Sequence, residues 1–188
     1  MIVGGAADVY ARITSVSLSP KHGFSKQPQK FIRLLAGLGV EGDAHCGATV
    51  QHLYLKRKNS NAPNRMQVHL IQQELFADLH AHGYAVQPGE LGENITTSGS
   101  DLLALPTGTQ LHLGADAVIE LTGLRTPCKQ IDGFQPGLMK RLVTGSKTSE
   151  RPARAGVMAV VLTGGEVRAG DAIQTVLPQE PWQSLRLI

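Results

Sequence analysis

Aromatic side chains make up only 4% of this chain, leaving few rings on which unpaired bases can stack and weighing against a single-strand nucleic-acid binder. Sulfur is scarce too. The two cysteines, Cys46 and Cys128, cannot form a multi-disulfide framework, and 188 residues bury a core without staples. Spacing leaves a Cys46–Cys128 disulfide open, while two reduced thiols suit a cytosolic protein better. No hydrophobic run reaches the length of a membrane span. The opening MIVGGAADVYARITSVSLSP has no basic leader ahead of an apolar core, so the expected location is cytoplasmic. Glycine-rich dinucleotide fingerprints and cysteine sets for an iron–sulfur cluster are absent, so any electrons must come from outside the chain. Net charge is only +3. The basic residues that do gather, at 56–58 and in MKRLV at 139–143, attract anions together, though either patch alone is an ordinary solvated surface.

What is present is glycine and proline spread along the whole length, with short segments of strand character between them. ARITSVSLS alternates imperfectly through Ile13, Val16 and Leu18, the pattern of a strand that twists or bulges. TQLHLGADAVIELTG predicts a hairpin: Leu111 and Leu113 share one face, Ile119 and Leu121 another, and 114–116 supply the turn. GVMAVVLTGGEVRAGDAIQTVL predicts a second, with Gly164 and Gly165 giving a tight positive-φ turn. Ile71, Leu75 and Leu79 recur every four residues before Gly83, predicting a helix that packs on the sheet. PGLMKRLVTG opens on proline and closes on glycine, predicting a short helix. CGATVQHLYLKRKNSNAPN offers nothing periodic in its polar half and is expected as an exposed loop. The fold class expected is mainly β with a few helices, in a closed or nearly closed β-barrel of complex topology, since an open sheet of so many strands would leave edges to protect.

Four stretches in a fixed order carry a family resemblance: GVEGDAHCG at 39–47, QVHLIQQEL at 67–75, PGELGENITTSG at 88–99 and LTGLRTPC at 121–128. With the tail RAGVMAVVLTGGEVRAGDAI, they resemble the MOSC domain, the C-terminal domain of molybdenum-cofactor sulfurases. The likeness makes residues 1–188 a single stand-alone domain of the pyruvate-kinase-barrel-like class, with a core at about 13–173 and a tail at 174–188. It implies a domain that handles sulfur or holds the molybdenum cofactor, molybdopterin, through the cysteine of the Arg-x-Pro-Cys stretch. Family members with reductase activity act on N-hydroxylated compounds such as N-hydroxylated purines. Members often carry arginine where this chain has Ala44, and again where it has Met66, its own Arg65 standing one step earlier. On a strand, that offset turns a side chain to the opposite face. Cys46 also replaces a commoner small residue.

The resemblance gives Cys128 a chemical task. A thiol acts as nucleophile or soft-metal ligand as the thiolate, and cations at Arg125 and Lys129 favour that form where they converge on it. Pro127 fixes one backbone angle just before the sulfur. Asn94 has an amide that both donates and accepts, suited to recognising a cofactor edge or an N-hydroxylated group, and suited equally to capping a turn after Gly92. Glu90 and Glu93 are weaker candidates, read as solvated glutamates in a glycine-rich loop. Asp43 beside His45 can orient the imidazole near the cofactor. Zinc at Cys46 and His52 lacks a paired ligand frame. His69 reads as a satisfied core residue, while His80, His82 and His112 read as surface. For a terminal phosphate the available forks are Arg65, Arg151 and Arg154, with Arg154 first.

Three functions stay open at this point. One is a cofactor-dependent reductase of a small molecule, with Cys128 as metal ligand, Asn94, Asp43, His45, Arg125, Arg154 and Arg65 around the cofactor, and an external reductase or ferredoxin-like donor. Another is a sulfur carrier bearing a persulfide on Cys128, pyridoxal phosphate belonging only to a partner cysteine desulfurase. The last is a non-catalytic binding module.

Overall fold

The computed structural model describes residues 11–143 and 153–188, so Arg151 lies outside the described residues. Strands come first: β1 (Arg12–Leu18), β2 (Gln27–Gln29), β3 (Ile32–Leu35) and β4 (Gly39–Val40) precede a short helix α1 (Leu53–Lys58). A crossover follows, from β5 (Val68–Gln72) through α2 (Glu74–Ala81) to β6 (Ile95–Ser98). Then come β7 (Gln110–Leu113), β8 (Ala117–Leu124), the helices α3 (Gln130–Phe134) and α4 (Leu138–Leu142), and β9 (Val157–Thr163), β10 (Gly165–Val167) and β11 (Ile173–Val176). Mainly β with few helices is therefore what forms.

Eight strands make one mixed sheet in the order β11-β7-β8-β9-β5-β6-β1-β2, and β10-β3-β4 make a second. β5 and β6 run parallel, as a helical crossover requires. Near its ends the large sheet approaches itself: Ile13 N–H donates to Asp171 O at 2.9 Å, and Ile173 N–H donates to Ala11 O at 2.8 Å. One apolar cluster lies against the large sheet, including Ile13, Leu70, Ile95, Leu111, Leu121 and Val161. Another, with Leu75, Phe76, Leu79, Ile131, Leu138 and Leu142, lies beneath the helices. Each such buried aliphatic side chain contributes about 1.5–3 kcal/mol relative to exposure. Among the described residues no helix is long and apolar enough to cross a membrane.

The β7–β8 hairpin forms as its alternation predicts, turning at Gly114 with φ +60. β1 carries an irregularity between Ile13 and Ser15. The second hairpin does not form. β9 ends at Thr163, and β10 leaves it to pair with β3, matching Gly165 to Leu34 and Val167 to Ile32. Neither glycine has positive φ. Their reason is space, since a Cβ on Gly164 would meet Leu34 O at 2.8 Å and one on Gly165 would meet Ala117 N at 2.9 Å. The expected helix at 71–83 starts later, because Ile71 belongs to β5 and points into the same helix-covered cluster as Leu75 and Leu79. The expected loop at 46–64 contains α1, none of whose residues is buried. Its neck is closed by a bridge between Thr49 and Pro63 and by the Asn64 amide, which donates to His45 O at 3.0 Å and Gly47 O at 2.9 Å.

Candidate functional site

A cavity of about 750 Å³ opens where β8 ends, with β5 and β9 beside it and α1 across its mouth. Cys128, Arg125, Asn94 and His45 all line it. Thus residues far apart in sequence meet at one place, and the 92–94 loop shares a wall with the thiol. Cys128 is half-buried and its S–H donates to Gln130 Oε1 at 3.5 Å. Lys129, expected beside it, is exposed and outside the lining. Arg125 does approach: burial pushes its guanidinium below the ordinary value, and the Cys128 sulfur and the Glu93 carboxylate oppose that push. Its Nη1 is buried without a hydrogen-bond partner.

Behind this wall sits Asp43. Its Oδ2 accepts from Lys26 Nζ at 2.5 Å, from Asn94 Nδ2 at 3.1 Å and from Ser19 N–H at 3.1 Å, while Oδ1 accepts from His45 N–H at 2.9 Å. His45 Nδ1 lies 3.2 Å from Oδ1. Burial would raise this carboxyl, but the His45 and Lys26 hydrogen bonds and charge outweigh it, so Asp43 lies far below the usual carboxylate range. Lys26 moves down as well, because burial exceeds what Asp43 returns. Opposing effects of burial and pairing are expected of a buried ion pair. The contact distance shows that the pair is made.

Asn94 is tied on every side. Besides Asp43, its amide donates to Ser17 O at 3.1 Å and accepts from His69 N–H at 3.2 Å. This side chain straps β1, β5 and the 39–47 turn together, and its place in the lining follows from that. His69 is buried with Nε2 at 2.8 Å from Ala155 O, so Nε2 carries the proton; burial holds the ring neutral, well below its ordinary pKa. His69 lines the cavity from the core side.

Arg154 and Arg65 are not brought to the cavity. The Arg154 guanidinium turns to Asp78 of α2 at 2.8 Å and borders a separate small recess with Leu75 and Leu102. Arg65 is exposed and donates to Thr122 O at 3.1 Å, while Met66 faces the cavity in its stead. That is the outcome a one-residue offset produces. Cys46 is a free thiol whose pKa is raised by burial, Asp43 and Glu41. Among the described residues no three His, Cys, Asp or Glu side chains gather to hold a metal ion.

Glu93 requires a correction, for it is not solvated. It is 0% exposed. Gly89 and Gly92, both at positive φ, let the loop fold back so that Glu93 Oε1 accepts from Gly89 N–H and from Thr96 Oγ1 at 3.2 Å. The same glycines lie against the 24–26 segment, where a Cβ would meet Lys26 O at 2.6 Å or Phe24 O at 2.5 Å, and that contact delivers Lys26 to the site. Burial raises the Glu93 pKa against these hydrogen bonds, and Oε2 has no partner. A carboxyl raised on folding stabilises the fold below its unfolded pKa and loses that contribution as pH rises through the folded value. Glu93→Gln is therefore expected to gain stability relative to wild type as pH rises above the ordinary carboxyl range near 4. Thermal melts of both proteins at increasing pH check it; a constant difference in Tm would refute it.

Sequence reasoning missed His22 and Lys26 and used His52 only for zinc. All three line the cavity. His22 and His45 rings meet edge to face at 5.2 Å. Burial first, then mutual repulsion with His45, lowers the pKa of both His22 and His52. The chemistry of this wall is a hydrogen-bond-donating surface of imidazoles and the Arg125 guanidinium around the Cys128 thiol. The lining also includes the apolar side chains of Phe24, Leu53, Leu55, Met66, Met158 and Ile188.

Comparison with known proteins bears on the family and the fold. A family model for the MOSC domain matches residues 45–174. Among solved structures, the chain is similar to the YUAD protein from Bacillus subtilis, with a TM-score of 0.75 at 21% identity over 91% of this chain and 98% of that one. It is similar to YiiM from Geobacillus stearothermophilus, with a TM-score of 0.65 at 19% identity over 93% and 79%. YiiM from Escherichia coli gives a TM-score of 0.58 at 18% identity over 92% and 73%. These likenesses concern the fold. No curated protein sequence matches the chain.

Proposed function

The chain belongs to the MOSC domain family, and from that premise we propose that it binds the molybdenum cofactor and reduces N-hydroxylated small molecules. One observation carries the reading: Cys128 opens into a cavity of about 750 Å³ beside the buried, unpartnered Arg125 Nη1. An orphaned guanidinium donor calls for an anionic acceptor. The volume lies within the range of cofactor pockets. The Arg125 guanidinium and, as hydrogen-bond donors, the imidazoles of His22 and His45 suit a group bearing a phosphate, and the thiol suits a soft metal. The residues present therefore fit the cofactor. When bound, it supplies the two-electron centre for splitting an N–O bond.

In this reading Cys128 ligates the metal, Arg125 binds anionic oxygen, and Asp43 with Asn94 holds Lys26 and His45 in place. The net reaction takes a hydroxylamine, two electrons and two protons to the amine and water: the N–O bond breaks, an N–H bond forms, and oxygen departs as water. Protons reach the cavity through the imidazoles at its mouth. The large sheet is taken as a closed barrel, its first strand joined to the run before β11 by the Ile13–Asp171 and Ala11–Ile173 hydrogen bonds, which stiffens the wall behind the site.

The test is elemental analysis of protein made in a cofactor-competent host, followed by reduction of an N-hydroxylated purine with reduced methyl viologen. About one molybdenum per chain and stoichiometric amine are expected. Folded protein free of molybdenum and inactive would overturn the proposal.

The half-buried state of Cys128 also favours a second reading, as a sulfur carrier. Its thiolate would attack the outer sulfur of a desulfurase persulfide, forming one S–S bond as the donor's breaks and releasing the donor cysteine as thiolate. Mass spectrometry after incubation with a cysteine desulfurase and cysteine would then find one added sulfur on Cys128, and no added sulfur would remove the idea.

A further inference from the structure

We infer that α1 is the docking surface for a small acidic electron-transfer protein, an inference that rests on the reductase reading for the need of a donor. The six-residue α1 has no buried side chain, an odd property for a helix retained in a folded domain. Leu53 and Tyr54 are 51% and 59% exposed, yet both reach the cavity lining from its mouth. They make an apolar and aromatic centre. Around it stand Lys56, Arg57 and Lys58, all exposed, and none forms an ion pair with an acid among the described residues. Lys58 Nζ lies 4.6 Å from the centre of the Tyr54 ring, and Lys56 Nζ bonds only the amide oxygen of Gln51, at 3.2 Å.

An aromatic and leucine centre with a basic rim is the anatomy of a protein interface. Three cations without counter-charges select an acidic partner and steer its approach. Weak electron-transfer encounters are small and salt-sensitive, which a surface of one short helix can support. Position completes the argument: Leu53, Tyr54, Leu55 and Arg57 of α1 line the cavity itself, so a donor seated on this helix stands beside the candidate redox site. The low aromatic content of the chain disfavours nucleic acid as the occupant of the same cations.

The experiment uses the full chain, Lys56→Glu/Lys58→Glu, and a small acidic plant-type [2Fe–2S] ferredoxin as probe. Binding is measured by titration calorimetry at low and at moderate salt, with reduction of an N-hydroxylated purine driven by reduced ferredoxin or by reduced methyl viologen. Expected are wild-type binding that weakens at least tenfold between about 20 and 200 mM salt, a further loss of tenfold or more in the variant, and a matching fall in ferredoxin-driven turnover while viologen-driven turnover holds. Equal ferredoxin binding by wild type and variant, or no wild-type binding, would overturn the docking surface. So would a 12-nucleotide single strand that binds where ferredoxin does not. Loss of viologen-driven turnover in wild type strikes the reductase reading and leaves the binding arm to decide the surface.

Discussion

Cys128→Ser is expected to lower turnover of an N-hydroxylated purine by at least about 100-fold, a barrier increase of about 2.7 kcal/mol. A hydroxyl matches the thiol in shape but ionises far outside the working pH range and is a hard ligand. The half-buried side chain makes no core contact that serine would forfeit, apart from the long bond to Gln130. Tm should move by no more than about 2 °C. The variant's molybdenum content should fall together with its activity. Turnover above one third of wild type, measured with metal content matched, would remove Cys128 from the chemistry. Cys46→Ser serves as the comparison, since that thiol is pushed up by its buried, acidic surroundings; it should keep full turnover.

Asp43→Ala should produce the largest loss of stability, about 3–5 kcal/mol, or about 10 °C or more in Tm. It strands Lys26, whose side chain is 5% exposed, together with the Asn94 amide and the Ser19 and His45 N–H groups. The folded carboxyl is depressed, so its contribution is present above the unfolded pKa near 4 and is lost as pH falls through the folded value. The stability difference between wild type and variant should thus shrink as pH falls below about 5. Lys26→Met added to Asp43→Ala should recover much of the loss, because a buried pair replaced by apolar groups costs far less than one partner left alone. Denaturant titrations of wild type, Asp43→Ala, Lys26→Met and the double variant form the cycle. A double variant no more stable than Asp43→Ala alone would show that the loss lies in the hydrogen bonds to Asn94 and Ser19 and not in the stranded charge.

The β7–β8 pair was readable from alternation alone. Where a turn signal also fits a corner, alternation failed. The pair at 164–165 carries the composition of a hairpin, but its glycines serve the close approach of Leu34 and Ala117, and only tertiary structure reveals that need. Likewise Ile71 fits a four-residue period and belongs to a strand, since both the end of β5 and one face of α2 contribute to one apolar layer. At the site, the meeting of Cys128 with the 92–94 loop came from the ordered family stretches. Lys26 and His22 lie in a segment with no such stretch and are carried in by the loop of Gly89 and Gly92. The glycine spacing in PGELGEN signalled a tight bend but not what would lie across it. The arginines show the reverse limit: composition supplied candidates, and Arg154 spent its charge on Asp78.

The backbone bonds from Ile13 to Asp171 and from Ala11 to Ile173 have a kinetic consequence. Joining such distant parts of the chain costs loop-closure entropy before any contact repays it, which slows folding toward the millisecond-to-second range of non-local β topologies. On a ribosome, β1 must wait for the segment around Ala172 to emerge, and β5 for β9. Lys26, Asn94 and Cys128 therefore form a pocket only once β9 and the segment around Ala172 have emerged, and whatever the pocket takes up has to be loaded after that.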